Sequence, residues 1–273
     1  MNLEKIIEII ETATFDPSII KNENYSRREA IEKVKHVGIK TVLAAIPLGF
    51  AATFTKYAYA EKNNLSTEPT LVDVLNYLLT LEYLESKFYS MALQSSGLIP
   101  ASDTAMFTQI ANHQRGHILT LSNRIKLLSG TPIASPEFDF TAGGMYPDVF
   151  TNYQTFLAIS QSFEDLGVRA YKGQFINSQL RGNADAITVA FRIHSVEARH
   201  AAQVRRLRGN KGWITNASAP GLQPEIYAGE NNLIQSGINM STVSSVNVDS
   251  LTEAFDEPLY MNQVLSIANA FIV

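Results

Sequence analysis

Between residues 186 and 207, Ala186, Ala190, Ile193, Glu197, His200, Val204 and Leu207 recur in alternating steps of four and three. That rhythm marks the buried seam of a helix in a bundle. Residues three apart on a helix share a face, so Glu197 and His200 project from the seam together. A carboxylate and an imidazole held in a dry interior are costly unless they are paired or bound to a cation. The stretch therefore calls for partner helices and for a positive charge among them.

Three more stretches supply partners. From Thr67 to Ser95, Leu71, Leu75, Leu78, Glu82, Glu85 and Tyr89 keep the same rhythm. Glu82 lies among leucines at 78, 79 and 81 and is hard to place on a surface, whereas Glu85 is expected to lean toward the rim. A second helix, capped by Ser102 or Asp103 and running to about Ser129, has Phe107, Ile110, Gln114, His117 and Leu121 on its seam. Gln114 and His117 repeat the spacing of Glu197 and His200, with an amide where the carboxylate would be. The third helix is expected over Pro147 to Ser178, with Tyr153, Leu157, Ser160, Glu164, Gly167 and Tyr171 inward. Residues 130–147, rich in proline and glycine, have no helical period and read as a long connection between the second and third helices.

The polar seam residues form a two-fold pattern. Glu82 and Gln114 are 32 residues apart, and Glu164 and Glu197 are 33 apart. Each half offers a lone glutamate, then a motif ending in histidine on the next helix. Two such hairpins bring Glu82, Gln114, His117, Glu164, Glu197 and His200 to one interior. The alternative to a metal is a buried polar network, but it would hold three like charges in low dielectric against two imidazoles. His113 and His194 are expected at the rim or in the core rather than as ligands. Tyr89 and Tyr171 read first as core aromatics with a hydroxyl partner. Arg115, Arg169, Arg199, Arg205 and Arg206 read as solvated or helix-end charges.

Composition narrows the chemistry. The 273 residues include no cysteine, which excludes disulfides, zinc–thiolate sites, iron–sulfur clusters and cysteine nucleophiles. A net charge of −4 offers no basic footprint for nucleic acid. The donors that remain are oxygen and nitrogen, a set suited to iron or manganese and to redox chemistry with dioxygen or peroxide.

With these residues in place, the chain resembles the ferritin-like superfamily of di-iron and di-manganese carboxylate proteins. More narrowly, it looks like the ferritin-like domain family that includes plant desiccation-related proteins and many exported bacterial proteins. The likeness is carried by Leu78-Leu-Thr-Leu-Glu82-Tyr-Leu-Glu85 with Phe88-Tyr89, by Phe163-Glu164-Asp165-Leu166-Gly167-Val168 with Ala170-Tyr171, and by Glu197-Ala-Arg-His200. Asp139-Phe140 and Phe255-Asp256-Glu257-Pro258-Leu259 add to it. The resemblance implies an all-α, four-helix ferritin-like bundle over residues 66–210, with a long crossover between helices 2 and 3. It implies metal ligation by Glu82, His117, Glu164, Glu197 and His200, with Gln114 standing where a fourth carboxylate is expected. An amide cannot bridge two ions as a carboxylate does, so iron or manganese is expected as a pair or, because of Gln114, as a single ion. A metal-poor structural protein of the stress or envelope type is the rival reading. An iron-storage cage fits less well, given the long extensions at both ends; a homo-oligomer stays open.

Residues 1–20 read as a short polar-apolar helix, and the chain continues into Ser26-Arg27-Arg28, an apolar run from Thr41 to Phe54, and Ala58-Tyr59-Ala60. A basic stretch, an apolar stretch and an A-x-A end describe an export signal, here of twin-arginine type. Export to the periplasm is expected on that basis, the alternative being an amphipathic helix on a cytoplasmic protein. The apolar run is too short for a stable membrane span. Residues 211–273 lack the periodic apolar positions of a separate core and are expected to wrap the bundle.

Overall fold

A computed structural model of the protein describes residues 69–219 and 221–273. The export-type segment expected within residues 1–60 lies outside the described residues. Helix α1 spans Leu71–Gln94, and Thr70 and Asp73 close a reciprocal capping box at its start. Helix α2 spans Ala101–Leu127. Its N-cap is Pro100, with no side-chain hydrogen bond, so Ser102 and Asp103 lie inside the first turn rather than capping it. Proline suits that boundary, because its fixed φ and missing N–H are harmless where the first amides have no helical partner. Helix α3 spans Tyr153–Gln174, shorter than expected at both ends. Asn152 caps it, and after Phe175 the chain turns through the single-turn helix α4, Ser178–Arg181. Helix α5 spans Ala184–Leu207 and is capped by Asn183.

The core falls into two apolar clusters, and their membership gives the direction of each helix. One cluster takes α1 up to Leu81, α2 from Leu121, α3 from Leu166 and α5 up to Ile193. The other takes α1 from Leu84, α2 up to Ala111, α3 up to Phe163, and Val204 of α5. Thus α1 and α5 run one way and α2 and α3 the other. Residues 128–152 carry the chain back along the bundle between α2 and α3. The polar seam residues Glu82, Gln114, His117, Glu164, Glu197 and His200 all fall between the two clusters.

The tail explains why α3 is buried nearly all round. A 3-10 turn over Pro224–Tyr227, a small hairpin of β1 (Ile234–Gln235) and β2 (Ile238–Asn239), and the short helices α6 (Met240–Val243), α7 (Val248–Thr252) and α8 (Met261–Ala268) follow the bundle. Arg169, expected as a solvated charge, is fully buried and holds this tail. It donates to the carbonyls of Ile226, Ala228 and Glu257 and pairs with Glu230 at 2.8 Å. Arg205 is likewise buried, bonded through Nε to Asp165 Oδ1 at 2.9 Å, and Tyr227 donates its hydroxyl to Asp165 Oδ2 at 2.6 Å. Arg115, Arg199 and Arg206 are exposed, as expected. At Gly173 the tail crosses so closely that a β-carbon would lie 1.9 Å from the Leu259 carbonyl oxygen, which makes glycine obligatory there. The final residues pair with the crossover through a bridge between Phe138 and Ile272, and Phe271 meets Phe163 edge-on at 4.9 Å. Among the described residues, no helix is long and apolar enough to cross a membrane.

Candidate metal centre

Each of the four long helices delivers polar side chains to the layer between the apolar clusters. Glu82 comes from α1, Gln114 and His117 from α2, Glu164 from α3, and Glu197 and His200 from α5, and all six are buried. The structure therefore brings together every residue expected at the site. Two groups have donor atoms within 4.8 Å of one another: Glu82, His117 and Glu197, and Glu164, Glu197 and His200. Glu197 belongs to both. His117 Nδ1 lies 3.1 Å from Glu82 Oε2 and 2.9 Å from Glu197 Oε1. His200 Nδ1 lies 3.3 Å from Glu164 Oε2 and 3.5 Å from Glu197 Oε2.

Two tyrosines brace the carboxylates across the bundle. Tyr89 of α1 donates to Glu164 Oε1 of α3 at 2.5 Å, and Tyr171 of α3 donates to Glu82 Oε1 of α1 at 2.6 Å. Each tyrosine follows its own helix's glutamate by two turns, so the arrangement is reciprocal. The hydroxyl partners expected for these rings are thus the site glutamates themselves. Burial, followed by the carboxylate charges, pushes both phenols well above their usual range, which keeps them protonated as donors.

Glu85 departs from expectation. Rather than leaning to the rim it is buried, and its Oε2 accepts a hydrogen bond from Gln114 Nε2. The same Gln114 nitrogen is 3.3 Å from Glu197 Oε2. The seam rhythm of α1 already included Glu85; its two-turn neighbours on the seam, all buried, were the available signal. His113 lies at the rim, as expected, but its contact with His200 was not foreseen. It is half-buried one turn before His117, and its Nδ1 lies 2.8 Å from His200 Nε2 with the rings stacked. Its Nε2 is 2.6 Å from the exposed Gln109 amide. His194 stays outside the cluster, edge-on to Phe175.

The electrostatics of the layer set burial and like charge against the carboxylates. Burial and the charge of Glu197 raise Glu82. Burial, then the charges of Glu197, Glu164 and Glu82, lift Glu85 well above the carboxylate range. Glu164 is pushed up to about 8, chiefly by burial. Burial opposes charge on His117 and His200 too, but the adjacent carboxylates outweigh it and raise both to about 10. Burial acts on Glu197 as well, yet its two imidazole neighbours prevail and hold it below the usual carboxylate range.

Hydrogen bonding within the layer is incomplete. Gln114 Oε1, Glu164 Oε2, Glu197 Oε1 and His200 Nδ1 are buried without a well-aligned hydrogen bond, although the last three face an ion-pair partner at 2.9–3.5 Å. Buried polar atoms are ordinarily satisfied by aligned partners, and an atom left with none, as Gln114 Oε1 is, costs about 1–3 kcal/mol. Four such atoms, three of them in the two convergent groups, are what a donor set for a cation looks like from the protein's side. Carboxylate oxygen and imidazole nitrogen with no sulfur suit iron or manganese in donor type. The residues present therefore fit a metal.

A sequence model of the family described as "Ferritin-like domain" matches residues 70–210. No curated protein matches the chain.

Proposed function

Because the chain belongs to the ferritin-like domain family, we propose that it binds iron or manganese in the core of its bundle and supports redox chemistry there. The observation that carries this reading is Glu197, a buried carboxylate shared by two convergent groups that each also hold one glutamate and one histidine. Glu82 and His117 would hold an ion on one side, Glu164 and His200 on the other, with Glu197 common to both. A bound iron or manganese ion would supply a one-electron couple toward dioxygen or peroxide. The protein's part is to exclude water with the two apolar clusters, to orient Glu82 and Glu164 through Tyr171 and Tyr89, and to hold the histidine rings. His113 takes the outer nitrogen of His200, which leaves Nδ1 facing the carboxylates. Such outer partners fix ring orientation and tautomer.

Anaerobic titration with Fe(II) or Mn(II), followed by elemental analysis, tests the proposal. Stoichiometric metal that is absent from Glu197→Ala supports it; no metal in either protein supports the rival reading of a structural bundle, which the amide of Gln114 favours. The export proposal for Ser26-Arg27-Arg28 is separate, and replacing both arginines by lysine should block export of the full chain if it is correct.

A further inference from the structure

The six expected ligands of the two halves match except that Gln114 stands where the other half has Glu197. By position on the hairpins, Glu85 of α1 corresponds to Gly167 of α3, each three residues beyond its helix's site glutamate. The structure joins these departures. A β-carbon at Gly167 would sit 3.0 Å from Glu85 Oε1, tighter than ordinary contact, so the glycine makes room for the Glu85 carboxyl. Gln114 Nε2, which donates to the other Glu85 oxygen, is also 3.3 Å from Glu197 Oε2, and this links Glu85 to the shared carboxylate. Gln114 Oε1 stays buried and unpartnered. Glutamine and glutamate form one hydrogen-bonded unit with a single formal charge.

Building on the metal-binding reading above, we propose that Glu85 supplies the metal-site carboxylate that Gln114 lacks, so that the centre takes two divalent cations. With Glu82, Glu164 and Glu197 the layer then holds four carboxylates, matching the charge of two such ions with neutral imidazoles. The negative charge has moved from α2 to α1, into space opened by a glycine on α3. In this arrangement Gln114 positions Glu85 and adds a neutral oxygen donor.

The test is a Mn(II) titration of the full chain at neutral pH, with free Mn(II) followed by electron paramagnetic resonance and heats by calorimetry. Wild type should take two ions. Glu85→Gln should weaken the second ion at least ~10-fold, since losing even an outer-shell partner costs that much. The exchange variant Glu85→Gln with Gln114→Glu should restore it. Metal-free Glu85→Gln should melt at or above the wild-type temperature, because a neutral amide replaces a carboxyl buried among carboxylates, and its melting temperature should rise less on adding Mn(II). Gly167→Ala, which crowds Glu85 without removing a donor, should weaken the second ion too, and it carries the test if Glu85→Gln does not fold. Two ions bound by wild type and equally well by Glu85→Gln would overturn this inference alone. A wild type that binds one ion would also overturn it while leaving the metal-binding reading standing. A wild type that binds none would overturn both.

Discussion

The α1–α2 hairpin and the α3–α5 hairpin carry the same instructions with different spelling. Glu82 answers Glu164, Tyr89 answers Tyr171 and His117 answers His200, and the two tyrosines reach across to brace each other's glutamate. The differences gather at three places: Gln114 against Glu197, Glu85 against Gly167, and His113 against Val196. The first two are in contact in space. Matching halves thus constrain the number of charges in the shared interior more tightly than they constrain which residue carries each one. The third difference is one-sided, because an apolar Val196 cannot hold a ring nitrogen as His113 does.

The comparison breaks most severely at Glu197, which serves both halves. Glu197→Ala should abolish binding of both ions, whereas His117→Ala and His200→Ala should each impair one. Equal loss in all three, read by metal content, would show that the halves act as one site. A pH series on the metal-free domain comes next in size. His117 and His200 sit at about 10 in the fold, against ~6.5 ordinarily, and Glu164 at about 8, against ~4.3. All three bind more protons folded than unfolded in those intervals, so stability falls as pH rises. The contribution of the imidazoliums is complete below ~6.5 and disappears as pH passes about 10; that of neutral Glu164 fades between ~4.3 and about 8. Glu197, held low, acts oppositely and loses its contribution only on acidification. Urea midpoints under chelation should therefore decline from mildly acidic to alkaline pH. Metal affinity should climb over the same range, because the ligands must be free of protons.

Smaller effects sharpen the pairing. Tyr89→Phe and Tyr171→Phe each remove a hydrogen bond to a carboxylate and should cost about 1.5–3 kcal/mol by chemical denaturation. The two losses should agree with each other if the reciprocal bracing is a true repeat. Least of all, His113→Ala should weaken one ion by ~10-fold and leave the other alone. Uniform weakening of both ions would show that His113 does not act through His200.

Much of this architecture was legible from seam periodicity, because apolar spacing reports directly on the buried face of a helix. Every seam residue from Phe107 to Leu121 on α2 is buried, as is every one from Ala186 to Val204 on α5. The six site residues were visible as polar breaks in those seams. What escaped detection depends on neighbours distant in sequence. Arg169 read as a solvated charge on α3 because nothing local announces that residues 224–259 will cover it and accept its hydrogen bonds. Glu85 read as rim because a second carboxylate one turn from Glu82 looks prohibitive until Gln114 and Gly167 are placed beside it.

The most direct test of the shared-carboxylate centre is an anomalous difference map from crystals of the wild-type protein soaked in Mn(II). Two peaks are predicted, one among Glu82, His117 and Glu197 and one among Glu164, Glu197 and His200. A fully soaked crystal with no peak in the layer between the two apolar clusters would contradict it.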